Sequence, residues 1–169
     1  MSLAVFKQQV PHPLRQATLV FLVREGMVLL AMKKRGFGVG HWNGVGGKVE
    51  EGELVREAAV RETQEEIGVR PIKLEEVARL LFYFPHTPIE EGWNQEVVVY
   101  LAYTWKGDPI ETEEMRPRWF THADVPFTEM WSDDTLWLPH VLAGRKIFAE
   151  FAFGADMQVE EHNVEEILE

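Results

Sequence analysis

Residues 47–69, GKVEEGELVREAAVRETQEEIGV, carry three carboxylates, Glu62, Glu65 and Glu66, at i, i+3 and i+4. On a helix that spacing puts all three on one face within a single turn. Each close pair of like charges costs a few tenths of a kcal/mol in an isolated helix, so the arrangement suits a fold that places a cation between them. Hard oxygen ligands so spaced fit Mg²⁺, with Mn²⁺ as a substitute, and these ions are usually held by a few carboxylates together with the phosphates of a substrate. A solvated acidic helix is the competing reading of the same residues.

The surrounding sequence supplies a helix and a loop to position them. Val55, Ala58, Ala59 and Ile67 form an apolar stripe at helical spacing, predicting a helix over residues 54–67. Gly68 falls where a left-handed C-cap would end it. Glu57 and Arg61 are an acid-before-base i,i+4 pair, and Glu53 is also within reach of Arg61. Gly46, Gly47 and Gly52 mark the preceding loop as one whose backbone needs freedom from a side chain.

Around this unit, residues 17–23 and 27–33 read as strands joined by the hairpin turn Arg24-Glu25-Gly26. A glycine-rich loop at 36–40 follows. Long strands are expected at 74–84 and 97–105, with a Pro- and Gly-bearing loop at 85–92 between them. Pro117 assigns the strand at 115–120 to an edge or bulge. Ser132-Asp133-Asp134 offers an N-cap for a helix over 135–143. Strands at 147–153 and 157–164 close the chain. The mixture predicts an α/β fold, an α/β/α sandwich around a mixed sheet, in a single domain over residues 1–169 with residues 1–14 as a partly flexible N-terminal arm.

Composition narrows the function. The chain has no cysteine and a formal net charge of −11, which excludes thiol chemistry and argues against nonspecific nucleic-acid binding. No apolar run reaches the ~18 residues of a membrane span, and the first residues lack the apolar stretch of a signal peptide. A cytoplasmic monomer is the default expectation. The acidic balance is awkward for a polyanionic substrate, but bound divalent cations invert the local charge logic, and Lys33, Lys34 and Arg35 form a basic cluster before the glycine loop.

The pattern of Gly47, five residues, Glu53, seven residues, Arg61-Glu62, Glu65-Glu66 and Gly68-Val69 resembles the Nudix box, the signature of hydrolases of nucleoside diphosphates linked to another moiety. Thr63 departs from it, standing where the family usually has a bulky apolar residue. The resemblance implies the Nudix fold, with the box as a loop–helix–loop beside the sheet. It also implies that Glu62, Glu65 and Glu66 are catalytic metal ligands, joined by a backbone carbonyl of the Gly46-Gly47 loop, assigned to Gly47. Glu65 or Glu66 would also activate water, and Glu53 would partner Arg61. Among Glu111, Glu113 and Glu114, Glu114 is the expected further ligand, with a solvated acidic loop as the alternative.

Beyond the box, the blocks at 32–38, 42–49, 114–120, 125–139 and 146–153 resemble the mammalian-type MutT homologues that hydrolyse oxidised purine nucleoside triphosphates. The implied product is a nucleoside monophosphate plus pyrophosphate, and the implied role is sanitisation of the nucleotide pool. Trp131 and Trp137 would supply flat surfaces for a base, with Phe37 and Phe82 or Phe84 opposite. Crowded Asp133 and Asp134 would keep a proton between them and so both donate and accept at a purine edge. Asn43, Thr18 and Lys33 would contact the nucleotide from other sides. Individually these are also ordinary cap, core and turn residues. Two features are extra for this branch, residues 85–94 with Trp93 and the arm before Arg15, and both are expected near the cleft mouth. The alternatives are a Nudix hydrolase of ADP-ribose, a nucleotide sugar or a dinucleoside polyphosphate, and a noncatalytic nucleotide-binding module.

Overall fold

The turn residues Glu25 and Gly26 both have positive φ, 52° and 75°, and close the hairpin between β1 (Arg15–Arg24) and β2 (Met27–Lys33). That geometry matches the right-handed twist of paired strands. A computed structural model describes residues 1–168. Six more strands follow: β3 (Trp42–Asn43), β4 (Arg70–Tyr83), β5 (Gln95–Lys106), β6 (Met115–Thr121), β7 (Ile147–Phe153) and β8 (Val159–Glu166). The helices are α1 (Leu3–Lys7), α2 (Val55–Ile67) and α3 (Asp134–Leu142).

The strands form one eight-stranded mixed sheet ordered β3-β2-β1-β5-β4-β7-β8, with β6 pairing β2. β1 pairs β5 in parallel from Arg15 to Leu22 but meets β2 only at Val23 and Arg24. Beyond the turn the two hairpin strands part, and this gap becomes the site.

The apolar run in β5 is buried on both faces, as a central strand flanked by helices should be. Val97, Val99 and Leu101 share a core with Trp137, Leu138 and Val141 of α3. Val98, Tyr100 and Ala102 pack with Ala59 and Ile67 of α2. Each such fully enclosed side chain contributes about 1.5–3 kcal/mol, so both helices are held tightly against the sheet. Thr63 of α2 is fully buried, and its Oγ1 donates to the Ala59 carbonyl at 2.7 Å. The departure from the box pattern is therefore accommodated with the Thr63 hydroxyl paired inside its own helix.

The N-terminal arm differs from expectation. Leu3, Phe6, Val10 and Leu14 are buried against Tyr83 and Ala152. The Leu3 N–H donates to Glu161 at 2.8 Å, and Lys7 pairs with Glu150 at 2.5 Å. Alternation along β4 sends Tyr83 to the opposite face from Phe82 and Phe84, so the packed arm lies behind the sheet and not at the cleft mouth. The last strand also starts later than expected, at Val159, because Met157 takes a left-handed conformation (φ 63°) in the turn before it.

Candidate active site

Residues 44–49 fill the gap between β1 and β2. They run antiparallel to β1, with Val45 and Val20 exchanging hydrogen bonds at 2.6 and 3.0 Å, Thr18 N–H donating to Gly47 O at 2.8 Å and Val49 N–H to Gln16 O at 3.0 Å. A Cβ on Gly46 would lie 1.8 Å from the Thr18 carbonyl oxygen, and one on Gly47 would lie 2.4 Å from the Glu62 carboxyl carbon. The glycine pair is thus required by close approach, not by a positive φ. The Gly47 carbonyl, expected as a metal ligand, is committed to Thr18, whose Oγ1 also approaches it at 3.3 Å. Alternation along the extended segment turns the Gly46 carbonyl the other way, and the Gly46 N–H donates to Glu66 at 3.2 Å.

α2 presents the acids. Its N-terminus is tied by Glu57, which accepts the Leu54 N–H at 3.0 Å. Glu57 therefore caps the helix and does not hold Arg61, a correction to the i,i+4 expectation. Gly68 ends the helix at φ 72°. Arg61 grips Glu53 with two hydrogen bonds, 2.8 and 3.0 Å, and also donates to Glu62 at 2.9 Å, Glu65 at 3.3 Å and the Lys48 carbonyl at 3.1 Å. The Arg61 bond, helped by the Glu50 N–H, holds the Glu53 carboxyl down to about 2. The guanidinium pKa moves the other way, upward, chiefly through Glu53. This fork staples the glycine loop to the helix. Arg61→Ala is expected to lower the melting temperature by roughly 4 °C, with Arg61→Lys in between because it keeps charge without the fork. Scanning fluorimetry checks this, and equal midpoints for all three proteins would exclude the staple.

Glu66 is buried, and its carboxyl is pushed up to about 7 by that burial, opposed by the Gly46 N–H and reinforced by the charges of Glu62 and Glu114. Glu65 is exposed, and Glu114 bonds Arg35 at 3.3 Å. Among the described residues no three acidic or imidazole groups already converge as a closed cage, because Glu62 and Glu65 turn toward Arg61. The donors nonetheless fit a divalent cation. They are hard oxygens, and a buried acid in a negative field gains from a positive neighbour. Ions of the Mg²⁺ type also keep several waters and need few protein ligands.

Next to this loop lies a cavity of about 310 Å³. Thr18, Lys33, Phe37, Asn43, Phe82, Phe84, Trp131, Asp133, Asp134 and Trp137 all line it. Their roles are more differentiated than the sequence implies. Asp133 does not cap α3 through its side chain; its Oδ2 accepts the Trp137 Nε1–H at 2.9 Å. Ser132 Oγ accepts from Val159 N–H at 3.0 Å, so it too is no cap. Trp137 is fully buried and positions an aspartate instead of offering a stacking face. Burial pushes Asp133 up to about 6. Asp134 rises well above the usual carboxylate range through burial and then the charge of Asp133. Asn43 Oδ1 is used by the Gly44 N–H at 2.8 Å, leaving its amide N–H groups to donate.

Aromatic rings complete the walls. Trp131 stacks on His41 at 4.3 Å and on Phe37 at 5.4 Å, and Trp93 joins Phe37 to Phe84 at 5.4 and 5.5 Å. The longer 85–94 segment therefore does reach the mouth. His41, Gln95, Phe153 and Met157 also line the cavity and were missed. Alternation along β5 and β7 could have flagged Gln95 and Phe153, whereas no local signal marks His41 or Met157.

The NUDIX domain pattern matches residues 13–141. The chain belongs to the Nudix family. This Nudix protein is 42% identical over 150 residues to the oxidized purine nucleoside triphosphate hydrolase of Danio rerio, spanning 89% of this chain and 94% of that one. It is 42% identical over 139 residues to the protein of the same name from Mus musculus, spanning 82% and 86%. A MutT protein from Bacillus halodurans shares the Nudix fold with a TM-score of 0.78 at 24% identity, over 90% of this chain and 98% of that one. Nudix hydrolases as a family use a divalent metal. No helix among the described residues is long and apolar enough to cross a membrane.

Proposed function

We propose that this protein is a Mg²⁺-dependent pyrophosphohydrolase of oxidised purine nucleoside triphosphates. Water adds across a phosphoanhydride and yields the nucleoside monophosphate and pyrophosphate, removing damaged precursors from the nucleotide pool. The observation that carries the reading is a single continuous cavity. Gly46, Gly47 and Lys33, beside the Glu66 carboxyl, line the same cavity as Trp131, Asp133 and Asp134. Groups suited to phosphates and groups suited to a base thereby share one cavity.

When bound, the metal neutralises phosphate charge and acidifies water. Glu62, Glu65 and Glu66 would hold it, with Glu114 and the Gly46 carbonyl as further donors. Glu66, whose carboxyl burial pushes up to about 7, is the strongest candidate for accepting the proton from water. Lys33 lies close enough to Glu66 to act on its charge and is suited to a phosphate. At the base end, Asp133 and Asp134 retain a proton between them, so one donates while the other accepts. Asn43 donates from another wall. The soluble nucleotide is the only partner this mechanism requires.

The test is steady-state hydrolysis of 8-oxo-dGTP, 2-hydroxy-dATP, dGTP, ADP-ribose and UDP-glucose with Mg²⁺ and with EDTA, counting pyrophosphate against phosphate. The expected result is metal-dependent pyrophosphate release. The kcat/KM for an oxidised purine should exceed that for dGTP at least tenfold (about 1.4 kcal/mol). Activity confined to ADP-ribose or UDP-glucose would keep the metal chemistry and overturn the base reading.

A further inference from the structure

We infer that Gln95 is a specificity-determining residue that reads the purine edge turned toward β5, an assignment that rests on the oxidised-purine reading above. Four strands of the sheet line one side of the cavity. β1 contributes Ala17 and Leu19, β4 contributes Leu80, Phe82 and Phe84, β5 contributes Val97 and Gln95, and β7 contributes Phe153. Beside Thr18, whose hydroxyl is engaged by the Gly47 carbonyl, Gln95 is the hydrogen-bonding side chain that these four strands bring to the cavity.

Its neighbours along the strand are already occupied. Asn94 Oδ1 accepts the Phe84 N–H at 2.8 Å. Glu96 accepts from Gln16 at 2.8 Å and from Arg79 at 3.2 Å. Period-2 alternation sends Glu96 to the opposite face and Gln95 to the cavity. The Gln95 side chain makes no hydrogen bond to any described residue, although it is half-buried. Its position is fixed by backbone pairing to Phe82 on one side and Arg15 on the other, so the amide is presented from a rigid strand.

An amide in such a place discriminates by complementarity. A base edge that pairs with Oε1 or Nε2 replaces the water it displaces. A base edge that cannot pair leaves the amide desolvated, and that base is penalised. The carboxyl pair at Asp133 and Asp134 accepts either of two donor patterns and Asn43 offers donors alone, so a further fixed group with both a donor and an acceptor is what separates one oxidised purine from another.

The test uses the full chain carrying Gln95→Leu or Gln95→Met, both of which remove the amide and keep similar bulk. The measurement is the ratio of kcat/KM for 8-oxo-dGTP to that for 2-hydroxy-dATP, taken on one enzyme preparation. The ratio cancels any difference in the folded fraction, so a purely structural role would not move it. The expected result is a shift of about tenfold in both variants, carried by KM, the size of one lost hydrogen bond. A ratio within twofold of wild type in both variants would overturn the assignment alone. A wild-type enzyme that hydrolyses neither oxidised purine better than dGTP would overturn the functional reading and this assignment with it.

Discussion

Glu66→Gln is expected to reduce turnover by about a thousandfold or more, roughly 4 kcal/mol of transition-state stabilisation, while making the metal-free protein more stable at alkaline pH. The two effects have one origin. Glu66 is buried beside Glu62 and Glu114, and its carboxyl is raised from 4.5 to about 7. For an acid raised in the fold, the stability associated with its protonated form is present at low pH. It is lost as pH rises from the unfolded value through the folded one. At about 1.4 kcal/mol per unit, the ionised carboxylate costs roughly 3 kcal/mol by pH 8. Gln keeps the Gly46 hydrogen bond and carries no charge, so in EDTA its melting temperature should exceed wild type by about 6 °C or more at pH 8 and match it near pH 4. The same charge is what a divalent cation needs, so wild type should gain more from Mg²⁺ at pH 8 than at pH 6, where protons compete. Thermal scans across pH, with and without metal, give the comparison. A variant with normal turnover would remove Glu66 from the chemistry, and an unchanged pH slope would refute the electrostatic account of its burial.

Asp134→Asn has the second largest expected effect, and it falls on the base end of the cavity. Asp134 is buried, its Oδ2 has no hydrogen-bond partner among the described residues, and its carboxyl is raised by burial and then by Asp133. Such a group keeps a proton it can present or withhold. Asn always donates from nitrogen and always accepts at oxygen, so it meets one donor pattern where the acid pair meets two. The kcat/KM for oxidised purines should fall by about a hundredfold, the cost of leaving a buried polar contact unmet, and dGTP hydrolysis should fall less. Stability should move oppositely. Both aspartates sit above their unfolded 3.8, Asp133 at about 6, so wild type loses stability as pH climbs out of the acid range, and the Asn variant loses less. Rates at several pH values together with melting curves decide it. Retained tenfold selectivity over dGTP would exclude the aspartate pair as the reader.

The parts of this architecture legible in the sequence are those written in local patterns. The i, i+3, i+4 acids, the apolar stripe and Gly68 define α2 to within a residue, and Glu25-Gly26 fixes the hairpin. The runs at β4 and β5 are clear in kind, though both strands extend beyond the apolar residues because ladder hydrogen bonds do not require apolar side chains. What escapes is decided by contacts distant in the chain. Glu57 and Glu53 look equally able to hold Arg61, and only the loop's path gives Arg61 to Glu53 and leaves Glu57 to the helix start. Ser132-Asp133-Asp134 has the composition of a cap, yet Trp137 claims Asp133 and β8 claims Ser132. The Gly47 carbonyl looks free until β1 takes it. The arm looks extra until Tyr83 and Ala152 cover its apolar residues.

β1 both carries the glycine loop and lines the cavity. Its edge carries the glycine loop through Gln16, Thr18 and Val20, and its face lays Ala17 and Leu19 into the floor. An extended strand advances about 3.3 Å per residue and yields little along its length. On the reading proposed above it acts as a ruler between the place where a base rests and the place where phosphorus reacts. A base seated 1 Å out of position carries its phosphates out of line with the carboxylates, an error that can cost about a hundredfold in rate. An ill-fitting purine is thus rejected twice, once at the wall it fails to match and again where its phosphates fall out of alignment.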